Sequence, residues 1–243
     1  MLCTLLYIYN DDENLYEVLK FFYKNKLHEY LKLYFDEAPT SQMFNTNLLH
    51  ANYLLVMNDV DEALSIYETL YESNPLNRQL CMALAVCYAH KHQYDKASML
   101  YRELYSREPE SERIAYNLAF VQFRSGFYDE ASSILYRISY EHPENASAIQ
   151  LLVRVLLAQN MMGKAKDLAL QLLDLPDQAA EGHLLLGYVY AVNSNFSVAM
   201  EHFQKYEGSI VEALRNDEFF LKGCFKVPVN YQILCDMISS GPS

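Results

Sequence analysis

The stretch SGFYDEASSILYRISYEHP, residues 125–143, has two close counterparts earlier in the chain. One is KHQYDKASMLYRELYSREP, residues 91–109, and the other is MNDVDEALSIYETLYESNP, residues 57–75. The three stretches are equal in length, and the prolines that end them, Pro75, Pro109 and Pro143, are equally spaced. A sequence repeat therefore organises the middle of the chain, and this repeat decides the fold.

The same spacing continues on both sides of the three stretches. An alanine recurs at the spacing of the prolines through five copies, and related residues stand four places after it and twelve places before it. Chance does not hold such a period through five copies, so we interpret it as structural. The alanines are Ala63, Ala97, Ala131, Ala165 and Ala199; the later positions hold Tyr67, Tyr101, Leu135, Ala169 and Phe203; the earlier positions hold Ala51, Ala85, Ala119, Val153 and Gly187.

Within one copy the apolar residues follow the period of an α-helix. Ala131, Ile134, Leu135 and Ile138 stand at the i, i+3, i+4 and i+7 positions of one helix face. A polar break such as Ser125-Gly126 separates two short helices, and the proline ends the second of them. Two helices approach to about 8–10 Å only where the crossing point lacks bulk, so the small residues mark helix crossings. The helix pairs must stack to cover their apolar stripes.

Several of these positions resemble the tetratricopeptide repeat, whose period is about 34 residues. The resemblance implies an all-α fold, a right-handed α–α superhelix with five clear repeats over residues 44–213. It also implies a degenerate helix pair at 1–43 and a C-terminal capping helix and tail at 214–243. The residues that carry the resemblance are Asn117-Leu118-Ala119, Gly126, Tyr128, Ala131 and Pro143 in one copy, and Ala85, Tyr88, Tyr94, Ala97, Tyr101 and Pro109 in the copy before it.

The two ends of the array leave alternatives open. In the weak first copy Tyr30 takes the place of the alanine, where its phenol should push two helices apart. That substitution indicates either an atypical terminal repeat that contacts something else, or a worn copy. At the other end, EGSIVEALRNDEFFLKG, residues 207–223, predicts a helix that covers the last repeat. Alternatively, Phe219, Phe220 and Phe225 dock onto a partner chain.

Composition narrows the classes of protein. Of the 243 residues 51% are hydrophobic, which suffices for a core, and the net charge of −12 argues against binding nucleic acid or an anionic membrane. No run reaches the roughly 18 apolar residues of a membrane span, so we expect no membrane insertion. The first residues lack a signal-peptide pattern. The five cysteines, Cys3, Cys81, Cys87, Cys224 and Cys235, form no CxxC pair and suit a reducing compartment, so a cytoplasmic location is expected.

No motif indicates catalysis or a cofactor. The seven glycines form no phosphate-binding loop, and no GxSxG sequence is present. His90 and His92 are two residues apart, so on a helix they diverge by about 200° and cannot share a metal ion. The sequence therefore predicts a non-enzymatic protein with no catalytic residue, no metal site and no cofactor.

The resemblance also implies where a partner would bind. In the family, the first helices of successive repeats line a concave groove, where a partner peptide commonly lies. Three arginines fall on that wall of an otherwise acidic chain, with aromatic and amide side chains between them. This set would suit an extended peptide or helix with acidic and apolar residues. The predicted groove residues are Asn52, Met82, Val86, Arg113, Tyr116, Asn117, Phe120, Arg124, Arg154 and Tyr188.

Two alternatives apply to this groove. The arginines could instead pair with Glu112, Glu144 or Glu181 and hold neighbouring repeats together. A carboxylate clamp of the kind used by tetratricopeptide co-chaperones is not supported, because among its places only Asn52 matches by identity while Arg113 keeps the charge.

The sequence thus predicts an interaction scaffold that binds a protein partner in the groove. The first alternative is a structural subunit that acts through its terminal edges or forms a homodimer through its termini. The second alternative is a secretion-type chaperone, although the chain has more repeats than that class would need.

Overall fold

The structure, a computed structural model, describes residues 12–37, 44–225 and 228–240. These residues form fourteen α-helices and no strand, which confirms the predicted all-α fold. The chain divides into two compact units, residues 1–108 and 109–243, and each is described by itself below. The helices of the first unit are α1 (Asp12–Lys24), α2 (His28–Glu37), α3 (Phe44–Val56), α4 (Val60–Ser73), α5 (Arg78–His90) and α6 (Tyr94–Arg107).

The second unit contains three repeats and two further helices. Its predicted C-terminal boundary after residue 213 falls inside the first of those two helices. The helices are α7 (Glu112–Arg124), α8 (Tyr128–Glu141), α9 (Ala146–Ala158), α10 (Met162–Leu173), α11 (Ala179–Val192), α12 (Phe196–Phe203), α13 (Ile210–Cys224) and α14 (Pro228–Ser240).

Within each unit the helices pack as stacked pairs. The two helices of every repeat contact each other, as α7 contacts α8 and α9 contacts α10. The first helices of successive repeats also contact each other, in the order α7, α9 and α11 in the second unit. This arrangement buries the apolar stripe of each helix against its neighbours, as a stacked repeat requires.

A left-handed residue recurs in the turn between the two helices of each repeat. Positive φ angles of 57° to 82° occur at Asn58, His92, Gly126, Asn160 and Ser194, each of which lies one repeat after the one before it. This conformation suits Gly and is tolerated by Asn, whereas other side chains adopt it at a cost. The polar breaks in the sequence therefore mark one turn geometry, repeated five times.

Side-chain caps fix the start of several helices. The Asn77 and Asn145 side chains accept a hydrogen bond from the backbone N–H three residues later, at 3.0 and 2.9 Å. These two residues stand two repeats apart, and each begins the first helix of its repeat. An asparagine cap satisfies one of the free N–H groups of the first turn. The repeat thus specifies where the helix begins as well as where it crosses its neighbour.

The small residues are completely buried. All five alanines of the repeated series have 0% exposed surface. In the fifth repeat a Cβ atom at Gly187 on α11 would lie 2.5 Å from Cδ1 of Phe203 on α12, so the two helices meet where glycine leaves room for the ring. The equivalent positions of the fourth repeat hold Val153 and Ala169, with the bulk on the other helix. In each of these two repeats, a larger side chain on one helix thus packs against a smaller residue on the other.

The N-terminal helix pair departs from this rule at Tyr30. Its side chain is 39% exposed and stacks on Phe22 of α1, with ring centroids 5.2 Å apart. A residue in the alanine position of a regular repeat would be fully buried at the crossing. Tyr30 instead lies at the margin of the α1–α2 pair, and the degenerate repeat in this segment stays a prediction.

The cysteines lie in apolar surroundings. Cys81, Cys87 and Cys224 are buried, Cys235 is half-buried, and all four are free thiols; Cys3 lies outside the described residues. Burial raises the pKa of Cys87 to about 11 and that of Cys224 to about 12. At neutral pH these thiols remain protonated, as expected for buried cysteines with a packing role.

Candidate partner-binding face

Six of the predicted groove residues of the second unit lie on α7 and α9, and the seventh, Tyr188, lies on α11. We call the side that carries Tyr116, Phe120, Phe123, Arg124 and Arg154 the inner face. The chain itself covers part of it, because α13 packs against α9 and brings its aromatic side chains to α7. The sequence predicted a helix in this segment but placed it over the last repeat. In the structure it reaches two repeats further back.

Arg154 is the centre of the contact between α9 and α13. Its Nε donates to both carboxylate oxygens of Asp217, at 3.1 Å each, and its Nη2 donates to Oε1 of Glu181 at 2.8 Å. The side chains of Arg154, Asp217 and Glu181 are only 17, 12 and 23% exposed. One guanidinium therefore joins three helices, α9, α11 and α13. The pairing with Glu181 is the alternative that the sequence left open for this arginine.

The electrostatics of this cluster follow from its burial. Burial lowers the pKa of the Arg154 guanidinium, but the Asp217 and Glu181 carboxylates more than offset it, so the pKa stays above its ordinary value. Arg154 is thus permanently charged. Burial also raises the pKa of Tyr188 on α11, and the nearby Asp217 carboxylate raises it further. A predicted groove residue, Tyr188 is fully buried beside the cluster.

Aromatic side chains form the second part of the contact. The ring of Phe123 on α7 lies 5.1 Å from that of Phe219 and 5.3 Å from that of Phe220. The guanidinium of Arg124 lies 4.1 Å from the centre of the Phe219 ring, within the range of a cation–π interaction. Phe220 is buried, whereas Phe219 remains 42% exposed.

A cavity remains between α13 and the inner face. Its volume is about 160 Å³. Burial raises the pKa of Tyr116, which faces this cavity, while the Arg154 charge acts in the opposite direction. The space is open to solvent on one side, so α13 leaves part of the inner face uncovered. The lining residues are Tyr116, Phe120, Phe123, Arg124, Ser147, Gln150, Leu151 and Arg154 from α7 and α9, and Asn216, Asp217 and Phe219 from α13.

Arg113 and Asn117 lie on α7, two turns and one turn before Phe120 respectively. Arg113 is exposed and forms no ion pair with any residue of the described ranges. Asn117 is half-exposed. The i, i+3, i+4 and i+7 spacing of Arg113, Tyr116, Asn117 and Phe120 places them on one side of the helix, so they extend the inner face toward the start of α7.

Three predicted groove residues belong to the first unit. Asn52 on α3 accepts a hydrogen bond of 2.7 Å from the Tyr67 hydroxyl of α4, so its amide oxygen is used within its own helix pair. Met82 on α5 is buried and Val86 is half-buried. These residues lie in a different unit from the inner face, and their predicted role in binding stays a prediction.

Asp217 is a sequence feature that indicates the docking of α13, and it is absent from the predicted site residues. The buried residues of α13 are Ala213, Leu214, Phe220, Leu221 and Cys224, and Asp217 stands in the same stripe. A carboxylate inside an apolar stripe needs a charged partner when the helix docks. Arg154 has the matching position, one arginine within a helix that is otherwise apolar apart from Ser147 and Gln150. The pairing itself spans 63 residues, which no local pattern reveals.

Neither a metal-ligand cluster nor a membrane-spanning helix is found among the described residues. No three metal-ligating side chains come together anywhere in the described ranges. Of the helices found there, none combines the length and apolarity that crossing a bilayer takes.

The family comparison matches the middle of the chain. The family model described as anaphase-promoting complex, cyclosome, subunit 3 matches residues 56–138, which is less than half of the chain. A comparison with curated protein sequences finds no match.

Solved structures extend the likeness over most of the chain. MamA from Desulfovibrio magneticus RS-1 matches with a TM-score of 0.60 at 18% identity, over 72% of this chain and 97% of that one. YrrB, described as a TPR protein with an unusual peptide-binding site, matches with a TM-score of 0.54 at 18% identity, over 80% and 97%. The fold is that of a tetratricopeptide-repeat protein. Within this tetratricopeptide-repeat (TPR) fold the second unit thus consists of three repeats with a helix of its own on the inner face.

Proposed function

We propose that this TPR protein is a non-enzymatic interaction scaffold. It binds an extended or helical segment of a protein partner, with acidic and apolar side chains, on the inner face of the second unit. The observation that supports this is how α13 packs on that face: Asp217 forms an ion pair with Arg154, and two phenylalanines contact Phe123. The surface accommodates a helix of that chemistry within its own chain.

The chemistry of the inner face suits such a ligand. Arg113, Arg124 and Arg154 stand on α7 and α9, while the chain as a whole carries a charge of −12. Guanidinium groups pair with carboxylates through directed hydrogen bonds, and they pack against aromatic rings. An acidic segment is therefore attracted to this face and repelled by most of the remaining surface.

The exposed end of the face would make the first contacts. Arg113 has no ion pair in the described part of the chain, and Asn117 can both donate to and accept from a peptide backbone. The cavity of about 160 Å³ beside Tyr116 and Phe120 offers space for an apolar side chain. Together these features define a path along α7 that reaches α9 at Arg154.

The comparisons accord with this class of function. YrrB is described as having a peptide-binding site, and the family matched at residues 56–138 is named for a subunit of a multiprotein complex. Peptide binding and membership of a complex are both forms of protein interaction. We infer the same class of activity for this chain.

Arg113→Glu is the variant that tests the proposal. Peptides selected on the wild-type chain from a phage-displayed library of random segments should be rich in acidic and aromatic residues. Reversing the Arg113 charge should weaken their binding roughly tenfold, because a favourable ion pair becomes a repulsion worth about 1.4 kcal/mol. The measurement is fluorescence anisotropy with the labelled peptides.

The matched control is Lys164→Glu on α10, which makes the same charge change at an exposed position outside the inner face. It should leave peptide affinity within about twofold. Equal loss in both variants, or no loss in either, would remove Arg113 and the inner face from the proposal. Arg154→Glu is unsuitable for this test because Arg154 holds α13 in place.

Fewer residues are available for the alternative function, in which the protein acts through its terminal edges. Of the three tail phenylalanines, Phe220 and Phe225 are buried, and Phe225 packs on Tyr231 of α14 with ring centroids 5.7 Å apart. Phe219 and Tyr30 keep exposed surface, 42% and 39%. Self-association through these residues stays a prediction, as does the secretion-chaperone alternative.

A further inference from the structure

The helix α13 is built like a ligand. It begins at the Ser209 cap after a segment, residues 204–209, that follows the last repeat, and its buried stripe faces other helices of the chain. A repeat array does not require such a helix to reach back across two repeats; a cap would cover only the exposed end. The position of α13 on the inner face therefore calls for a reason beyond capping.

The contact between α13 and the inner face is specific but incomplete. Its polar part is the Arg154–Asp217 pair, and a buried ion pair of this kind is often no more stabilising than well-packed apolar side chains in the same place. Its apolar part leaves a cavity of about 160 Å³ and one phenylalanine, Phe219, that is 42% exposed. A helix that fills the cavity and keeps the carboxylate would fit this surface better than α13 does.

Removal of α13 would leave the inner face with unbalanced charge. Arg113 and Arg154 would face solvent or a ligand, and the carboxylate that remains on Arg154 would be that of Glu181. Water would then hydrate the Arg154 guanidinium, and a ligand that buries it again must supply a carboxylate, because a buried charge without a partner is strongly unfavourable. The empty face therefore selects a ligand that brings an acidic group to the position of Asp217.

We propose that α13 is an intramolecular competitor for the inner face, and that partners bind by displacing it with an acidic-aromatic helix of the same pattern. The pattern is Asp217-x-Phe219-Phe220 within an apolar helical stripe. The inference rests on the proposed function and adds its ligand chemistry and its regulation. A partner can bind only the molecules in which α13 is detached. Its apparent affinity is therefore its intrinsic affinity multiplied by the fraction of such molecules.

The test uses a synthetic labelled peptide, SIVEALRNDEFFLKG, which is residues 209–223. It is titrated into the full chain and into the full chain with Asp217→Asn and Phe220→Ala, which weaken α13 but leave α7 and α9 unchanged. The doubly substituted chain should bind the peptide at least tenfold more tightly than the wild type. A control peptide with lysine in place of the aspartate should bind the substituted chain at least tenfold more weakly.

A second measurement needs no substitution in the protein. Hydrogen exchange of residues 210–224 in the wild-type chain should rise when the peptide is added in excess, because displaced α13 loses its protection. Equal peptide affinity for both chains, together with unchanged exchange in α13, would overturn the competitor proposal. Light scattering completes the test. A dimer that dissociates when the peptide is added would assign the inner face to a second copy of the chain, and it would also overturn the competitor proposal.

The two proposals fail in different ways. If library peptides bind and are lost with Arg113→Glu while α13 exchange does not change, the scaffold stands and the competitor role falls. If no library peptide depends on Arg113, the inner face loses its proposed function. Binding of the α13 peptide is judged separately, because α13 contacts Arg154 and Phe123 rather than Arg113.

Discussion

Arg154→Met is expected to lower the free energy of unfolding of the second unit by about 3–5 kcal/mol. The substitution keeps the length of the side chain but leaves the carboxylates of Asp217 and Glu181, 12% and 23% exposed, without their shared counter-charge. An unpaired buried charge costs several kcal/mol, which is a large part of the stability of a domain. Urea unfolding followed by circular dichroism measures the loss.

The matched control is Arg113→Met on the neighbouring helix. Arg113 is exposed and forms no ion pair within the described ranges, so this variant should stay within about 0.5 kcal/mol of the wild type. The triple substitution of Arg154→Met, Asp217→Leu and Glu181→Met should recover most of the loss, because apolar groups can replace a buried ion cluster. A loss under about 1 kcal/mol for Arg154→Met alone would show that the cluster is open to water.

Gly187→Val should destabilise the fold by about 3 kcal/mol. A Cβ atom at this position would lie 2.5 Å from Cδ1 of Phe203, and the rigid ring at the α11–α12 crossing has no empty space to enter. Phe203 has 0% exposed surface, so the strain falls on the backbone. Gly163→Ala is the control: nothing lies within 4 Å of its Cβ position, and on the exposed face of α10 it should stabilise by about 0.5–1 kcal/mol. Thermal and urea unfolding of both variants measure the difference.

The crossing also predicts a rescue. Phe203→Ala alone should cost about 3–5 kcal/mol because it empties a buried site. In the fourth repeat the same two positions hold Val153 and Ala169. Gly187→Val combined with Phe203→Ala copies that pair, so the double variant should be more stable than the sum of the single losses by about 1–3 kcal/mol. Strict additivity would mean that the two residues do not meet at the crossing.

The repeat was predictable because local backbone and packing geometry restricts which residue types can occupy its key positions. Ala97 and Ala131 stand at helix crossings that exclude larger side chains, and both are fully buried. Asn58 and Gly126 mark turns that need a positive φ angle. Each of these constraints acts within one helix pair. The same residue types therefore recur at the same positions in every copy, and this recurrence makes the period visible in the sequence.

The position of α13 was not predictable in the same way. Its stripe indicated an amphipathic helix, and the rule that a solenoid end must be covered favoured the last repeat. The structure instead pairs Asp217 with Arg154, which lie 63 residues apart and share no period. The groove residues of α7 and α9 were found from their register in the repeat, but register alone could not show that the chain covers them itself.

A photo-crosslink from position 219 tests directly whether α13 lies on the inner face. Phe219 is replaced by p-benzoylphenylalanine in the full chain; the site is 42% exposed and its ring lies 5.1 Å from that of Phe123. After irradiation and trypsin digestion, we expect fragment 216–222 to be joined to fragment 114–124 of α7 in the monomer. Crosslinks confined to α11 and α12, or a crosslinked dimer, would contradict the placement of α13 on the inner face.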